Sequence, residues 1–177
     1  MRVIAIDPGM NLGWALLGGK EPLSGSVRMA GSPAKMGQVM RHADRTIREL
    51  IAVHRPDVIA LATIFIGSRG GRPVDPHSIS AVMGVKFKAE EIADELRIRA
   101  VEISEPECRR AFLTAVPKKS KAIKAAVMRA CRLRGWPAGS EHAADAYCVA
   151  ARAMEILDPV AAHEMTPLFQ NRRKPRK

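Results

Sequence analysis

The sequence contains no long apolar stretch. Its longest apolar run, residues 58–66, is interrupted by Thr63 and is far shorter than the roughly 18–20 residues that cross a membrane. An apolar signal segment is also missing, because Asp7 and Pro8 follow directly on the first six residues. We therefore expect a soluble protein with no membrane partner.

Cysteine is scarce as well. Cys108, Cys131 and Cys148 lie far apart in the sequence, which excludes a disulfide framework and a Cys-x-x-Cys zinc site. This usage is typical of the reducing cytoplasm, where we expect the protein to be located. The 177 residues are enough for one compact domain but too few for two of ordinary size.

Acidic residues are outnumbered by basic ones. There are 29 Lys and Arg against 18 Asp and Glu, which gives a formal charge of +11. Residues 171–177 carry +5 of this charge without an acid, so this tail is either a solvated, disordered arm or an arm that contacts nucleic acid. The excess in the rest of the chain favours a polyanionic partner. We predict one domain over residues 1–158 and a basic, disordered tail over 159–177.

The hydrophobic periodicity predicts an α/β domain with a mixed sheet in the order βββαβαβααα. Residues 2–7 and 57–63 are apolar on both faces, so these two strands should be neighbours in the centre of the sheet. The other predicted strands are 12–17, 23–29 and 97–103. The first predicted helix has its apolar stripe over residues 36–51 and is closed by residues 54–56, and the others are 78–96, 105–112, 119–133 and a last one that Ser140 caps and that runs to about residue 156.

Asp7 ends the first predicted strand and is followed by Gly9 and Gly13. One interpretation is a metal ligand beside glycines that let a nucleic-acid backbone approach. A second is the first phosphate loop of an actin-like or sugar-kinase ATPase, and a third is an acid that only caps the turn. The phosphotransferase needs two such domains and a second phosphate loop, neither of which this sequence provides.

His142 and Asp145 form a second group of candidate site residues. They lie three residues apart on one face of a helix that Ser140 caps, where an imidazole and a carboxylate can both face a cation. Taken alone, the pair is typical of a surface histidine and a first-turn acid that the helix dipole stabilises. Together with Asp7 on a central strand, it favours a metal site.

In their order along the chain, these motifs resemble the RuvC-type Holliday junction resolvases of the ribonuclease H-like superfamily, and most of all the short resolvases of phages and prophages. The resemblance runs from Arg2 to about Ile156. Its motifs are residues 6–9 with Gly13, residues 56–61, the helix that contains Gly84, residues 118–121 and residues 142–146.

The resemblance implies a ribonuclease H-like fold with a mixed five-stranded sheet. It further implies a homodimer that binds four-way or branched DNA and nicks two strands symmetrically, in DNA recombination and repair. Cleavage in the family depends on Mg²⁺, with two ions per active site and Mn²⁺ as a possible substitute. No small-molecule cofactor is expected, and a nuclease for other branched DNA or for RNA is an alternative.

The resemblance assigns Asp7, His142 and Asp145 as catalytic metal ligands and places a catalytic Glu where this chain has Ala62. No neighbour replaces that Glu, because Asp57 falls on the opposite strand face and near the far end of the strand, and Asp75 lies far along a loop. The chain is either an engineered Glu-to-Ala variant or a natural junction-binding protein without catalysis. The intact surrounding pattern favours the engineered variant, which binds junctions but cleaves them poorly.

The remaining candidate residues concern DNA. Phe65 matches the family's aromatic that inserts at the junction, where stacking on a base contributes ~1–3 kcal/mol, although a core Phe that closes the strand is an equal alternative. Arg69 and Arg72, in the same glycine-rich loop, either reach phosphates or are solvated. Basic residues that match or flank family positions near the scissile phosphate are Arg109, Lys118, Lys119, Lys121 and Lys124.

The helix predicted over 78–96 carries a further apolar set, Ile79, Val82, Met83 and Phe87. These residues either pack on the sheet or form the dimer interface that the resemblance implies.

Overall fold

The computed structural model describes residues 1–31, 35–63 and 75–165. In chain order the elements are β1 (Val3–Asp7), β2 (Asn11–Leu17), β3 (Leu23–Arg28), α1 (Met36–His54), β4 (Val58–Thr63), α2 (Pro76–Glu95), β5 (Arg99–Ser104), α3 (Glu105–Phe112), α4 (Ser120–Leu133), α5 (Glu141–Leu157) and α6 (Pro159–Glu164).

The five strands form one mixed sheet in the order β3-β2-β1-β4-β5. The chain first makes an antiparallel β1-β2-β3 meander, and β4 and β5 then add in parallel to β1. The predicted pairing of the two strands that are apolar on both faces is confirmed, because β1 lies beside β4 with Val3 opposite Val58. The predicted α/β class and mixed sheet are confirmed as well.

Alternation along the central strands divides the core into two layers. On β1, Val3 and Ala5 face one layer, which α3, α4 and α5 cover. Ile4 and Ile6 face the other layer, which α1 and α2 cover. All four side chains are fully buried, which explains why β1 shows no polar face in the sequence.

Local backbone features set the element ends. Arg55 ends α1 in the left-handed conformation with φ 44°, and Pro56 follows it. The side chain of Asp75 accepts a hydrogen bond from the Ser78 amide, so α2 begins at Pro76, two residues earlier than predicted. Arg97, with φ 54°, forms the turn that follows α2, and β5 therefore begins at Arg99 rather than at residue 97.

Folded structure continues beyond the boundary predicted at residue 158. Asp158 caps α6 by accepting a hydrogen bond from the Ala161 amide, and Ala161, Ala162 and Met165 pack against the α5 side of the core. Residues 159–164 therefore form a helix instead of the start of a disordered tail. The predicted loop residues Phe65, Arg69 and Arg72, and the basic residues 171–177, lie outside the described residues.

Helix α2 packs on α1 at Gly84, where an added Cβ would lie 2.7 Å from the Sδ atom of Met40. The residues of α2 that enter the core are Ala81, Val85, Ala89, Ile92 and Ala93. Phe87 instead keeps 53% of its surface exposed, so it does not pack on the sheet. Across the described residues, no helix is both long and apolar enough to cross a membrane.

Candidate active site

Asp7 ends β1, and Ala62 lies one residue before the end of the neighbouring strand β4, at the same end of the sheet. The parallel register places Ile6 opposite Leu61, so the next pair along the two strands is Asp7 and Ala62. Both side chains project on the face that α5 covers, since Ala5 and Ala62 belong to its core layer. A longer side chain at position 62 would therefore extend beside Asp7.

Asp57 cannot substitute at this edge. Its carboxylate accepts a hydrogen bond from the Arg2 backbone amide at 2.7 Å, and Arg2 precedes β1. Asp57 therefore lies at the opposite end of the strands from Asp7, as the sequence analysis expected. Asp75 caps α2.

Helix α5 brings its first turn directly over β2. The Ser140 hydroxyl caps the helix by accepting a hydrogen bond from the Ala143 amide at 3.1 Å. Ala143, Ala144 and Ala146 are buried against the sheet, so their small side chains permit the close packing that the sequence predicts. A Cβ on Gly13 would lie 2.1 Å from the His142 carbonyl oxygen. The space at Gly13 is thus filled by the protein's own helix, and not by a nucleic-acid or nucleotide phosphate as considered above.

The structure brings Asp7 and His142 together. The Nδ1 atom of His142 lies 3.5 Å from Oδ2 of Asp7, and both side chains are partly exposed. This contact with the Asp7 carboxylate raises the pKa of His142, although burial and the nearby Lys124 ammonium oppose the rise. The imidazole is therefore held next to a carboxylate in a form that readily accepts a proton.

Asp145 lies one turn after His142 and is more deeply placed. Burial, followed by the negative charge of Asp7, raises its pKa to about 6, while the Arg109 guanidinium opposes the rise. Together the carboxylates of Asp7 and Asp145 make an electronegative position that a cation would stabilise.

Two acids that the sequence analysis missed neutralise predicted DNA-binding cations. Glu105 forms an ion pair with Arg109 one turn along α3, and its charge also contributes to the raised pKa of Asp145. Glu141 pairs with Lys124 at 2.6 Å, which lowers the pKa of Glu141. The Glu-Arg spacing of four on α3 could have revealed the first pair, whereas 17 residues separate the members of the second.

The other predicted cations lie at the start of α4. Lys118, Lys119 and Lys121 are all exposed, and the Lys119 side chain makes no capping hydrogen bond although the residue occupies the N-cap position. The Lys124–Glu141 pair joins this turn of α4 to the first turn of α5. The exposed lysines are thereby placed beside the end of α5 that carries His142.

The side chains at this end of the strands include the ligand types of a divalent cation, but they do not form a complete metal site. Asp7 and Asp145 supply carboxylate oxygens and His142 an imidazole, which are suitable ligands, and the mutual charge repulsion of the two acids supports a cation between them. Ala62 supplies no oxygen. Within the ranges described, no three His, Cys, Asp or Glu side chains come close enough to share one ion, so the expected two-ion site is incomplete.

No family model matches the sequence, and no curated protein matches it. The fold, however, is found among solved structures. Thermus thermophilus RuvC in complex with a Holliday junction substrate superimposes with a TM-score of 0.63 and 18% identity, covering 93% of each chain. This chain has the ribonuclease H-like fold of RuvC.

Two further structures support the same fold. A second Thermus thermophilus RuvC structure gives a TM-score of 0.62 at 19% identity and covers 93% of this chain and 94% of its own. The yeast mitochondrial Holliday junction resolvase Ydc2 gives 0.60 at 11% identity and covers 96% of this chain and 81% of its own. The likeness extends over nearly the whole chain, so the RuvC-type fold predicted from the motifs is confirmed.

Proposed function

We propose that this protein binds four-way DNA junctions as a RuvC-type resolvase, and that its metal-dependent strand cleavage is disabled by the alanine at position 62. Within that family, the motifs favour the short type of phages and prophages. The observation that carries the proposal is the placement of Asp7 beside Ala62 at one sheet edge, directly under His142 and Asp145. The solved structures with this fold act on or bind Holliday junctions, which supports the same substrate here.

In this proposal, Asp7 and Asp145 hold Mg²⁺ or Mn²⁺, and His142 is either a further ligand or a proton carrier. Bound metal ions in such a site activate a water molecule and stabilise the leaving oxygen of a phosphodiester. A carboxylate at position 62 would complete the site for the second ion. The contact with Asp7 raises the pKa of His142, and an imidazole held beside the proposed metal ligands suits a proton carrier.

We further propose that the protein is a homodimer, since two symmetric nicks require two active sites. The observation that supports this is the outer face of α2. There Ile79, Val82 and Met83 are only partly buried, and Phe87 is exposed. Four expectations from the sequence stay predictions. They are a cytoplasmic location, the junction-inserting role of Phe65, the phosphate contacts of Arg69 and Arg72, and a DNA-contacting or solvated role for residues 171–177.

One alternative has its own support. Ala62 and the incomplete ligand set favour a natural junction-binding protein of the same fold that does not cleave. The two functions differ only in whether Glu belongs at position 62, and a single substitution distinguishes them.

Ala62→Glu tests the proposal. The unaltered protein should bind a four-way junction and nick it very slowly, whereas Ala62→Glu should nick two strands of like polarity in a Mg²⁺-dependent manner. A rise in rate on the order of 100-fold or more is expected, because a missing ligand prevents correct placement of the second ion. Ala62→Gln is the matched control, because its side chain has the same length but no charge, and it should remain slow.

If Ala62→Glu is folded and binds junctions without any gain in nicking, the protein is a non-catalytic binder. If neither the unaltered protein nor the variant prefers four-way junctions over linear duplex, the proposed substrate is wrong.

A further inference from the structure

The excess positive charge of this protein lies in two segments, one internal and one C-terminal. Residues 108–140 contain nine Lys and Arg and not one Asp or Glu, and residues 171–177 contain another five cations. The other 137 residues hold 15 cations against 18 acids and are therefore net negative. The overall charge of +11 is thus a property of two segments, of which residues 108–140 belong to the described structure.

Helix α4 forms the middle of the internal segment and differs from every other helix among the described residues. It carries Lys121, Lys124, Arg129 and Arg132 with no acid, whereas the other helices each contain at least one Asp or Glu. On α1, for comparison, Arg45 pairs with Glu49, and Arg48 pairs with Asp44 and with Glu95 of α2. The other described helices therefore all carry acids, whereas α4 carries cations alone.

Not all cations of the segment are available to a partner. The Arg134 guanidinium stacks on the Phe112 ring with its central carbon 4.1 Å from the ring centre, and it donates hydrogen bonds to the carbonyls of Phe112 and Ala130. Lys124 is paired with Glu141. Arg134 therefore stabilises the packing around Phe112, and Lys124 links α4 to α5 through its ion pair.

Among the cations of α4 itself, Lys121, Arg129 and Arg132 remain. All three are exposed, and none forms an ion pair with another described residue. At about 100° per residue, they occupy a sector of roughly 80° on the outside of the helix, and at 1.5 Å per residue they extend over about 16 Å. Because successive phosphates of one DNA strand rise by about 3.4 Å along the duplex axis, this row is as long as about five base-pair steps.

The row starts at the candidate active site and leads away from it. Its first member lies in the turn of α4 that the Lys124–Glu141 pair holds against the first turn of α5. Lysines in the first turn of a helix oppose the helix dipole and cost stability, whereas a polyanion bound along the row would offset that cost. The dipole does favour Arg132 in the last turn, but this accounts for neither Lys121 nor Arg129.

We propose that the outer face of α4, from Lys121 to Arg132, binds the phosphate backbone of one duplex arm of the DNA, several base pairs away from the branch point. This inference rests on the proposed function and adds to it the surface that binds one duplex arm of the junction. Lys118, Lys119 and Lys121 then contact the backbone near the branch point, and Arg129 and Arg132 contact it farther out. Arg129 and Arg132 belong to no motif that the sequence analysis singled out.

The experiment compares two double variants with equal loss of charge. Arg129→Gln with Arg132→Gln removes the outer part of the row. Arg41→Gln with Arg45→Gln removes two exposed cations from α1, which covers the other face of the sheet. Affinity for a four-way junction with arms of about 15 base pairs is measured across a salt series, together with circular dichroism to verify folding. The α4 variant should bind on the order of tenfold more weakly at 0.1 M salt, and its salt slope should be smaller by about 1.8, while the α1 variant should match the unaltered protein.

A second junction, in which neutral methylphosphonates replace the phosphates beyond the third base pair of each arm, locates the contact. On this junction the α4 variant should bind as well as the unaltered protein, because the backbone that faces Arg129 and Arg132 no longer carries charge. Equal behaviour of the two double variants on the unmodified junction, or an equal loss on the modified one, would overturn this surface and leave the proposed function intact. Failure of the unaltered protein to bind either junction would overturn both.

Discussion

Gly13 of β2 leaves the space that the backbone of His142 occupies, since a Cβ at position 13 would lie 2.1 Å from the His142 carbonyl oxygen and 2.4 Å from the carbonyl carbon. The first turn of α5 can approach the sheet only because residue 13 has no side chain. That approach brings the imidazole to Asp7, which lies directly opposite Gly13 in the β1-β2 register. One glycine thus determines how the two parts of the candidate site meet.

Gly13→Ala should therefore destabilise the protein by about 2 kcal/mol or more, because a backbone segment would have to move to admit the methyl group. Gly84→Ala is the matched control. Its Cβ would lie 2.7 and 2.8 Å from the side-chain end of Met40, which can rotate away, and alanine is favoured within a helix. Urea unfolding at neutral pH measures both changes. Equal losses in the two variants would show that the approach of α5 is not the limiting contact.

The raised pKa of Asp145 predicts a pH dependence of stability. A carboxyl with a folded pKa of about 6 against about 3.9 unfolded binds more protons in the folded state, so stability falls as pH rises from about 4 to 6. We expect a loss of about 2 kcal/mol over this range. His142 acts in the same direction at higher pH, since its raised pKa stabilises the fold below about 6.5 and this contribution is lost above its folded pKa.

Asp145→Asn should remove the first part of this loss and be more stable than the unaltered protein at pH 7. Asp94→Asn, an exposed acid on α2, should leave the profile unchanged. Urea unfolding at pH 4.5 and pH 7 gives the comparison, and a profile of Asp145→Asn as steep as that of the unaltered protein would contradict the assignment to Asp145.

The Glu105–Arg109 ion pair predicts that Glu105 lowers the affinity for DNA, because it occupies the Arg109 guanidinium. Glu105→Gln should free the Arg109 guanidinium for phosphate and strengthen junction affinity by about two- to fivefold, an effect of the size expected for a partly exposed ion pair. Glu107→Gln is the matched control, since Glu107 lies on the same helix and pairs with Arg152 instead. Binding titrations at one salt concentration suffice. The same gain in both variants would mean that net charge alone is responsible.

The exposed apolar face of α2 predicts the dimer contact. Phe87→Glu should convert a dimer into a monomer at micromolar concentration, because it places a charge in an apolar interface. Val53→Glu on α1, where the valine is 72% exposed, should leave the assembly unchanged. Sedimentation equilibrium measures the mass of each. If the unaltered protein is itself a monomer, or if Phe87→Glu remains a dimer, α2 is not the interface.

Local patterns carried much of the information about the fold. The β1 and β4 segments are apolar on both faces, and this alone predicts that they lie together at the centre of the sheet. The helices α1, α3, α4 and α5 follow from periodicity, and the cap of α5 follows from Ser140. The sequence also singled out Asp7, His142 and Asp145 and the alanine at position 62.

Side-chain partners could not be predicted in this way, because they depend on how the elements pack. Glu141 and Lys124 are neighbours only because α4 and α5 meet at their first turns. Likewise, α6 extends the fold beyond the predicted boundary because its alanines find an apolar surface on α5.

The excess of basic over acidic residues is a fact of composition. From it, the sequence by itself determined that a polyanion is the expected partner. The tertiary structure decided where that partner can bind. In the folded protein, Arg134 and Lys124 make internal contacts, and Arg109 pairs with Glu105. Lys121, Arg129 and Arg132 stay exposed along one face of α4. The physical reason is that a charge becomes available for binding only when packing has given it no partner within its own chain.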